Sequence, residues 1–375
     1  MKIAILTLPL NDNYGGILQA YALREALIAR GHDVFHIEED SQGTMMYWSA
    51  RRFYGWWYTH RLLRQLVSLW LNKDINRIYR KTYDVRRRTT EIRRFVRNNV
   101  PRLVLNKFEN LKDKRFDCLI VGSDQIWRPL YYNHIEDTFL SFAQSWHIKK
   151  MAYAPSFGVE HWEFSDQQTK QCALLLQQFN AISVREDEGV KMCRENFSVD
   201  AVRLLDPTML LNREAYEKLI GQKTSTKKGQ LTTYILDMSA EKRAIVERLQ
   251  AMANVQLVEL GLATCDKSDI KNETKKSIEQ WLKEFMQAEF IFTDSFHGCV
   301  FAILFHKPFM VYGNKDRGMS RFNTLLRVFE LEDRLVFDNK SAIDLYNKPI
   351  DWKKTDAILQ QEMEKSFLFM ETVGL

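Results

Sequence analysis

At 375 residues, with 45% apolar and 27% charged residues, the chain has ordinary globular composition and exceeds the size at which one hydrophobic core keeps growing, so two domains are expected. Its 5 cysteines are scattered without a C-x-x-C pair, which excludes a disulfide framework and points to reduced core thiols in the cell interior. The net charge of +6 is a local matter: Ser41 to Lys107 holds 16 Lys and Arg against 3 Asp and Glu, so the remainder is acidic.

The opening MKIAILTLPLNDN has no small-residue cleavage site and reads as a first strand, Lys2 to Leu8, rather than a signal peptide. Nowhere does the chain approach the run of about 18 apolar residues that a spanning helix needs. Turn residues Asn11 to Gly16 precede a helix from Ile17 to Arg30, stopped by Gly31, and Asp33 to Ile37 is a second strand, which together make a βαβ unit. The basic stretch follows, read as a helical insertion over residues 41–110 in the N-terminal domain. Short strands are then expected at Phe116 to Val121, Lys150 to Ala154, Ala181 to Val184 and Arg203 to Leu205.

Residues 222–230, QKTSTKKGQ, are polar turn formers between two periodic regions and suit a linker. A second alternation runs through strand Leu231 to Met238, helix Ala240 to Ala253, strand Val255 to Leu260, helix Ser277 to Ala288, strand Phe290 to Thr293, helix Gly298 to Phe305 and strand Phe309 to Tyr312. The expected fold is α/β: two Rossmann-like parallel-sheet domains, residues 1–221 and 231–350, facing a cleft in the glycosyltransferase-B manner, with a closing helix over residues 351–375. Ligands of open α/β sheets sit beyond the carboxyl ends of strands, and the chemistry is sought there.

Asp294-Ser295-Phe296-His297-Gly298 follows one strand and opens an apolar helix. Free N–H groups and the helix dipole at such a point favour an anion, with His297, Ser295 and Gly298 gripping it; the same residues also read as a plain N-cap. Gly313 to Arg321 gathers Lys315, Arg317 and Arg321 on another strand-to-helix loop, where forked guanidinium donors match phosphate and carboxylate, or form a solvated face. Arg185 stands at a strand end ahead of three acids. Tyr14, Gly15 and Gly16 form either a ligand-approaching loop or a tight turn, and Ser123 and Asp124 either a sugar-hydroxyl reader or a cap. No G-x-G-x-x-G, Walker loop, G-x-S-x-G, H-E-x-x-H or Cys/His metal spacing is present, so neither a dinucleotide cofactor nor a metal is implied.

In order, NYGGILQAYAL from Asn13, VGSDQIW from Val121, AYAPSFG from Ala152, ISVRE from Ile182, LLDPTML from Leu204, WLKEFMQAEFIFTDSFHG from Trp281 and KPFMVYGNKDRGMSRF from Lys307 resemble the polysaccharide pyruvyl transferase family, over most of Met1 to Arg334. The resemblance implies transfer of a pyruvyl unit from phosphoenolpyruvate, a co-substrate, to a sugar of a cell-surface glycan or its lipid-linked precursor, giving a ketal. It implies His297 as general acid, or else as stabiliser of the departing phosphate, with Arg185 as the second catalytic residue. Donor-binding residues would be Ser295, Gly298, Lys315, Arg317 and Arg321, with Tyr14, Gly15, Gly16, Ser123 and Asp124 on an acceptor or cleft loop. Some branches carry an arginine two positions before this histidine; here that position is Ser295, and Arg317 or Arg321 is expected to replace it. A nucleotide-sugar glycosyltransferase or a non-catalytic glycan-assembly subunit on the same fold are the other readings. The basic stretch, interleaved with Tyr47, Trp48, Phe53, Tyr54, Trp56, Trp57, Tyr58 and Trp70, reads either as an attachment to the anionic inner face of the cell membrane or as packed architecture, with no nucleic acid expected.

Overall fold

The computed structural model describes residues 1–39, 88–132, 134–261, 275–313, 318–338 and 344–375. In the N-terminal half, β1 (Lys2–Leu6) leads through α1 (Tyr14–Ile28) to β2 (Asp33–Glu39). Then come α2 (Thr90–Asn99), β3 (Arg102–Leu105), β4 (Cys118–Val121), β5 (Lys149–Ala152), α3 (Asp166–Leu176), β6 (Ala181–Val184), α4 (Asp187–Phe197), β7 (Val202–Arg203) and α5 (Arg213–Ile220). The seven strands form one parallel sheet in the order β3-β2-β1-β4-β5-β6-β7. The order reverses between β1 and β4, which makes their carboxyl ends a natural crevice.

The C-terminal half contains β8 (Gln230–Tyr234), α6 (Ala240–Ala253), β9 (Gln256–Glu259), α7 (Ile278–Gln287), β10 (Phe290–Thr293), α8 (Phe296–Leu304), β11 (Phe309–Tyr312), α9 (Ser320–Val328), β12 (Leu335–Val336) and α10 (Trp352–Glu371). Its sheet runs β12-β11-β10-β8-β9, again parallel.

Both faces of the first sheet are covered, as parallel strands require. Along β1, Ile3 and Ile5 pack on one side with Met370, Val373 and Leu375 from the end of the chain, while Ala4 and Leu6 pack on the other with Leu119, Val121 and Trp127. Thus the closing helix returns to the N-terminal sheet. A further core joins the two halves: Tyr14, Ile17 and Leu18 of α1 pack with Trp281, Phe285 and Phe301 of α7 and α8.

Several boundaries differ from the sequence expectation, each for a local reason. Helix α1 begins at Tyr14, not Ile17, because the Asn13 side chain accepts from Gly16 N at 3.3 Å and draws both glycines into the first turn. Strand β8 stops at Tyr234 because Asp294 captures the N–H groups of Leu236 and Asp237 at 2.6 and 3.1 Å. Residues 102–105, expected within the insertion, are β3 of the sheet, and Gln230 of the expected linker opens β8. The rest of the expected insertion, residues 40–87, lies outside the described residues.

Candidate functional site

The ends of β4, β6 and β7 and the starts of α8 and α9 meet where the halves face each other. β4 leaves its sheet through Gly122, at φ 137°, where a Cβ would come within 2.0 Å of the Tyr153 carbonyl oxygen, so only glycine fits. This turn presents Asp124 to Arg185, which lies at the end of β6. Arg185 Nη2 stands 3.1 Å from Asp124 Oδ1 and its Nη1 2.8 Å from Asp206 Oδ2, just beyond β7. Arg185 is 3% exposed and its guanidinium lies 4.4 Å from the Phe296 ring centroid, which balances a buried charge with two carboxylates and an aromatic face.

The second sheet supplies His297, in the first turn of α8. Its imidazole occupies the place of a side chain at position 15: a Cβ there would lie 2.0 Å from Nδ1. His297 Nε2 points across the interface to Asp206 Oδ2 at 3.4 Å. At that length the contact is electrostatic, and Nε2 makes no hydrogen bond. Asp206 Oδ1 accepts from the Thr208 N–H at 3.0 Å and its hydroxyl at 2.6 Å. Burial opposes ionisation of Asp206, but His297, Arg185 and Thr208 outweigh it and hold the carboxyl well below the usual carboxylate range.

Arg321, in the first turn of α9, is 7% exposed and sits 6.0 Å from the same Phe296 ring. Burial first, then repulsion from Arg185, brings its pKa down to about 10, against the attraction of Asp124, Glu186 and Tyr131. Glu186 is fully buried: Oε1 accepts from Ser156 Oγ, Phe157 N and Gly158 N, and Oε2 has no partner. Burial pushes its carboxyl up despite Arg185 and Arg321. Between these groups is a cavity of about 20 Å³ lined by Arg185, Leu205, Asp206, Phe296 and Arg321, room for about one water.

The polysaccharide pyruvyl transferase family profile matches residues 13–316. The chain belongs to this family. A comparison with curated proteins finds no match. Among solved structures, the UDP-GlcNAc 2-epimerase from Methanocaldococcus jannaschii aligns with a TM-score of 0.51 at 11% identity over 95% of each chain. S. aureus MnaA in complex with UDP aligns at 0.50 and 10% identity, over 99% of this chain and 96% of that one. An Arabidopsis thaliana UGT complexed with UDP-L-rhamnose aligns at 0.50 and 9% identity over 99% of each. These likenesses establish a two-domain fold of glycosyltransferase-B type.

In this pyruvyl transferase family member, the structure brings together His297, Arg185, Asp124, Arg321 and Gly15. Lys315 and Arg317 lie outside the described residues. Tyr14, expected on a cleft loop, instead donates to the Lys276 carbonyl at 2.7 Å and stacks on Trp281 at 5.4 Å; it joins the domains and has no hydroxyl to offer a sugar. Ser123 is likewise committed, its hydroxyl to Ala154 O at 2.5 Å and its N–H to Gln19 Oε1 at 3.0 Å. Ser295 caps α8 by accepting from Gly298 N at 3.4 Å, and a Cβ at Gly298 would meet Thr293 Oγ1 at 2.2 Å. Gly16 lies near the site, a Cβ there reaching 3.5 Å from Asp124 Oδ2.

Sequence reasoning passed over Asp206, Glu186, Phe296 and Gln19. Asp206 had a signal: an aspartate before Pro207 and Thr208 at a strand end is an Asx turn that fixes one carboxylate oxygen and turns the other toward Arg185 and His297. Glu186 was submerged in the run of acids that suits a helix start. Among the described residues no cluster of His, Cys, Asp or Glu has the makings of a metal site, and no helix is long and apolar enough to cross a membrane.

Proposed function

We propose that this chain transfers a pyruvyl unit from phosphoenolpyruvate to two hydroxyls of a sugar, in a cell-surface glycan or its lipid-linked precursor, forming a ketal and releasing phosphate. The observation that carries the reading is His297 Nε2, a buried donor with no hydrogen bond, held 3.4 Å from Asp206 across the domain boundary. A histidine ring nitrogen that faces the cleft and is held near a carboxylate is placed to pass a proton, as a general acid must, and family membership supplies the reaction class.

In this scheme His297 protonates the methylene carbon, one sugar hydroxyl adds to C2, and the C2–O bond to phosphate breaks. The second hydroxyl then closes the ketal. The two hydroxyl protons balance the proton delivered to carbon and the one carried off by phosphate, so His297 returns to its starting state. Arg321 is the cation that would meet the donor's phosphate or carboxylate. Arg185 has both Nη groups engaged by Asp124 and Asp206, so it acts by positioning Asp206. The cavity lined by Arg185, Asp206, Phe296 and Arg321 is narrow, and parting of the domains would widen it for a donor and a sugar.

Phosphate release from phosphoenolpyruvate with candidate glycan acceptors tests the reading. A His297→Ala variant should fold and lose about two to four orders of magnitude in turnover; near wild-type release in that variant removes His297 from the chemistry. Thermal stabilisation by nucleotide sugars and not by phosphoenolpyruvate would instead assign a glycosyltransferase. At the switch point of the second sheet, Asp294 bridges from β10 to the loop after β8 and pairs with buried Lys242 at 2.7 Å, at the crevice that such sheets use for ligands. The basic, aromatic stretch from Ser41 to Lys107 supports attachment to an anionic membrane surface. Flotation with anionic but not neutral vesicles, weakened by salt, is the expected result.

A further inference from the structure

Beyond the turn that carries Asp124, the chain continues into a short 3-10 turn, Pro129–Tyr131. Here Leu130 is 71% and Tyr131 47% exposed, two adjacent large apolar side chains left in solvent. The Tyr131 ring is nevertheless held firmly. Arg128 places its guanidinium 4.9 Å from the ring centroid and donates from Nη1 to the phenol oxygen at 3.2 Å. Arg128 is itself buried and fixed by a bidentate pair with Glu163, both contacts at 3.0 Å. Such a forked pair sets orientation as well as charge.

The ring belongs to the same structure as the reactive cluster. Tyr131 closes the segment that leaves the Asp124 turn, and Asp124 meets Arg185 inside the buried cluster. Glu163 is on the loop that also carries Glu160, and Glu160 accepts from the N–H groups of Met319 and Ser320 at the start of the helix bearing Arg321. That loop is anchored by Phe157, Trp162 and Phe164, whose rings pack together at 4.6 to 6.2 Å. One rigid segment therefore sets both Arg321 and Tyr131.

We infer that Tyr131, with Leu130, is the platform on which a pyranose ring of the acceptor stacks at the mouth of the cleft. The inference rests on the sugar acceptor proposed above and adds where that sugar sits. A pyranose has an apolar C–H face and a hydroxyl rim, so it packs on an aromatic ring while its hydroxyls stay free to react. Because Glu163 neutralises Arg128, the surface offers a ring face and not a charge, which suits a neutral sugar better than a second anion. A tyrosine has few rotatable bonds to freeze, and this one is already oriented, so stacking on it forfeits little entropy.

Saturation-transfer NMR with methyl glucopyranoside, galactopyranoside and mannopyranoside as probes tests the platform without needing turnover. Wild type and Tyr131→Phe should transfer saturation to ring protons of at least one pyranoside, and folded Tyr131→Ala should do so severalfold less. Thermal stabilisation by phosphoenolpyruvate should be equal in all three. Undiminished transfer in Tyr131→Ala, or none to wild type, overturns the platform. Pyranoside contact at Tyr131 in a protein that never releases phosphate from phosphoenolpyruvate would overturn the donor assignment and leave the platform standing. In the active enzyme the alanine variant should raise the acceptor KM severalfold at unchanged kcat; a fall in kcat alone would move Tyr131 into the chemistry through Arg321.

Discussion

His297 has room for its imidazole only because position 15 lacks a side chain. An alanine at Gly15 favours the helix locally by about 0.5–1 kcal/mol, yet its Cβ would stand 2.0 Å from Nδ1 and 2.3 Å from Cγ of His297. The ring must move. Gly15→Ala should therefore stay folded while turnover falls by about 100-fold, the usual penalty for displacing a catalytic group by an ångström; unchanged turnover would mean the ring is not used where it stands. The partner of that ring makes a second prediction. The pKa of Asp206 is depressed by folding, so its stabilisation is complete above the ordinary aspartate value of about 3.9 and is lost as pH falls through the lower folded value. Asp206→Asn leaves Arg185 and His297 facing a neutral amide and should cost about 3–5 kcal/mol near neutrality. Urea unfolding across pH should show the gap between wild type and variant closing only in strong acid; a gap independent of pH would show that the carboxylate is not the source.

Among the described elements, α9 takes the partners of its first N–H groups from the other domain. It has no side-chain cap of its own, and the orphan N–H groups of Met319 and Ser320 are taken by Glu160 from the N-terminal half. Glu160→Ala should cost about 0.5–2 kcal/mol, as for lost caps, and weaken stabilisation by phosphoenolpyruvate because Arg321 rides on that turn. Glu160→Gln, which keeps a carbonyl acceptor, should recover part of both; equal losses in the two would point to charge instead. This contact also marks the limit of sequence reading. Helices capped from within, such as α6 behind Ser239 and α7 behind Ser277, were legible almost to the residue, because cap and periodicity lie in one window. So were β6, β10 and β11, short apolar runs ending in turn formers. What could not be read was set by distant side chains: Asp294 cutting β8 short, Glu160 capping α9, Asp206 meeting His297. The residues at strand ends were recognisable as chemistry, but their partners were not, since Ser123 and Tyr14 look as available in sequence as Asp124 and are fully spent in the fold.

At the scale of the molecule, two kinds of contact join the halves. One is an apolar core shared by α1, α7 and α8, with Tyr14 on Trp281 at 5.4 Å and Trp281 against Phe301 at 5.2 Å. The other is polar: His297 with Asp206, Glu160 with α9, and Asp187 with Thr324 and Arg327. Polar contacts exchange with water at small net loss, about 0.5–1.5 kcal/mol each, whereas exposing the aromatic core forfeits about 25 cal/mol for every Å² of apolar surface. Opening of the cleft should therefore break the polar set and turn about the apolar one. The same asymmetry governs unfolding. Neither half can melt without stripping a face of the shared core, and Met370 of α10 with Val373 and Leu375 beyond it pack on the N-terminal sheet, so these residues help hold the first strand. Calorimetry should show one endotherm whose van't Hoff and calorimetric enthalpies agree, and removal of residues 367–375 should lower that single transition as a whole. Two resolved endotherms, or a truncation that shifts only the first of them, would mean that the core of α1, α7 and α8 belongs to one half alone.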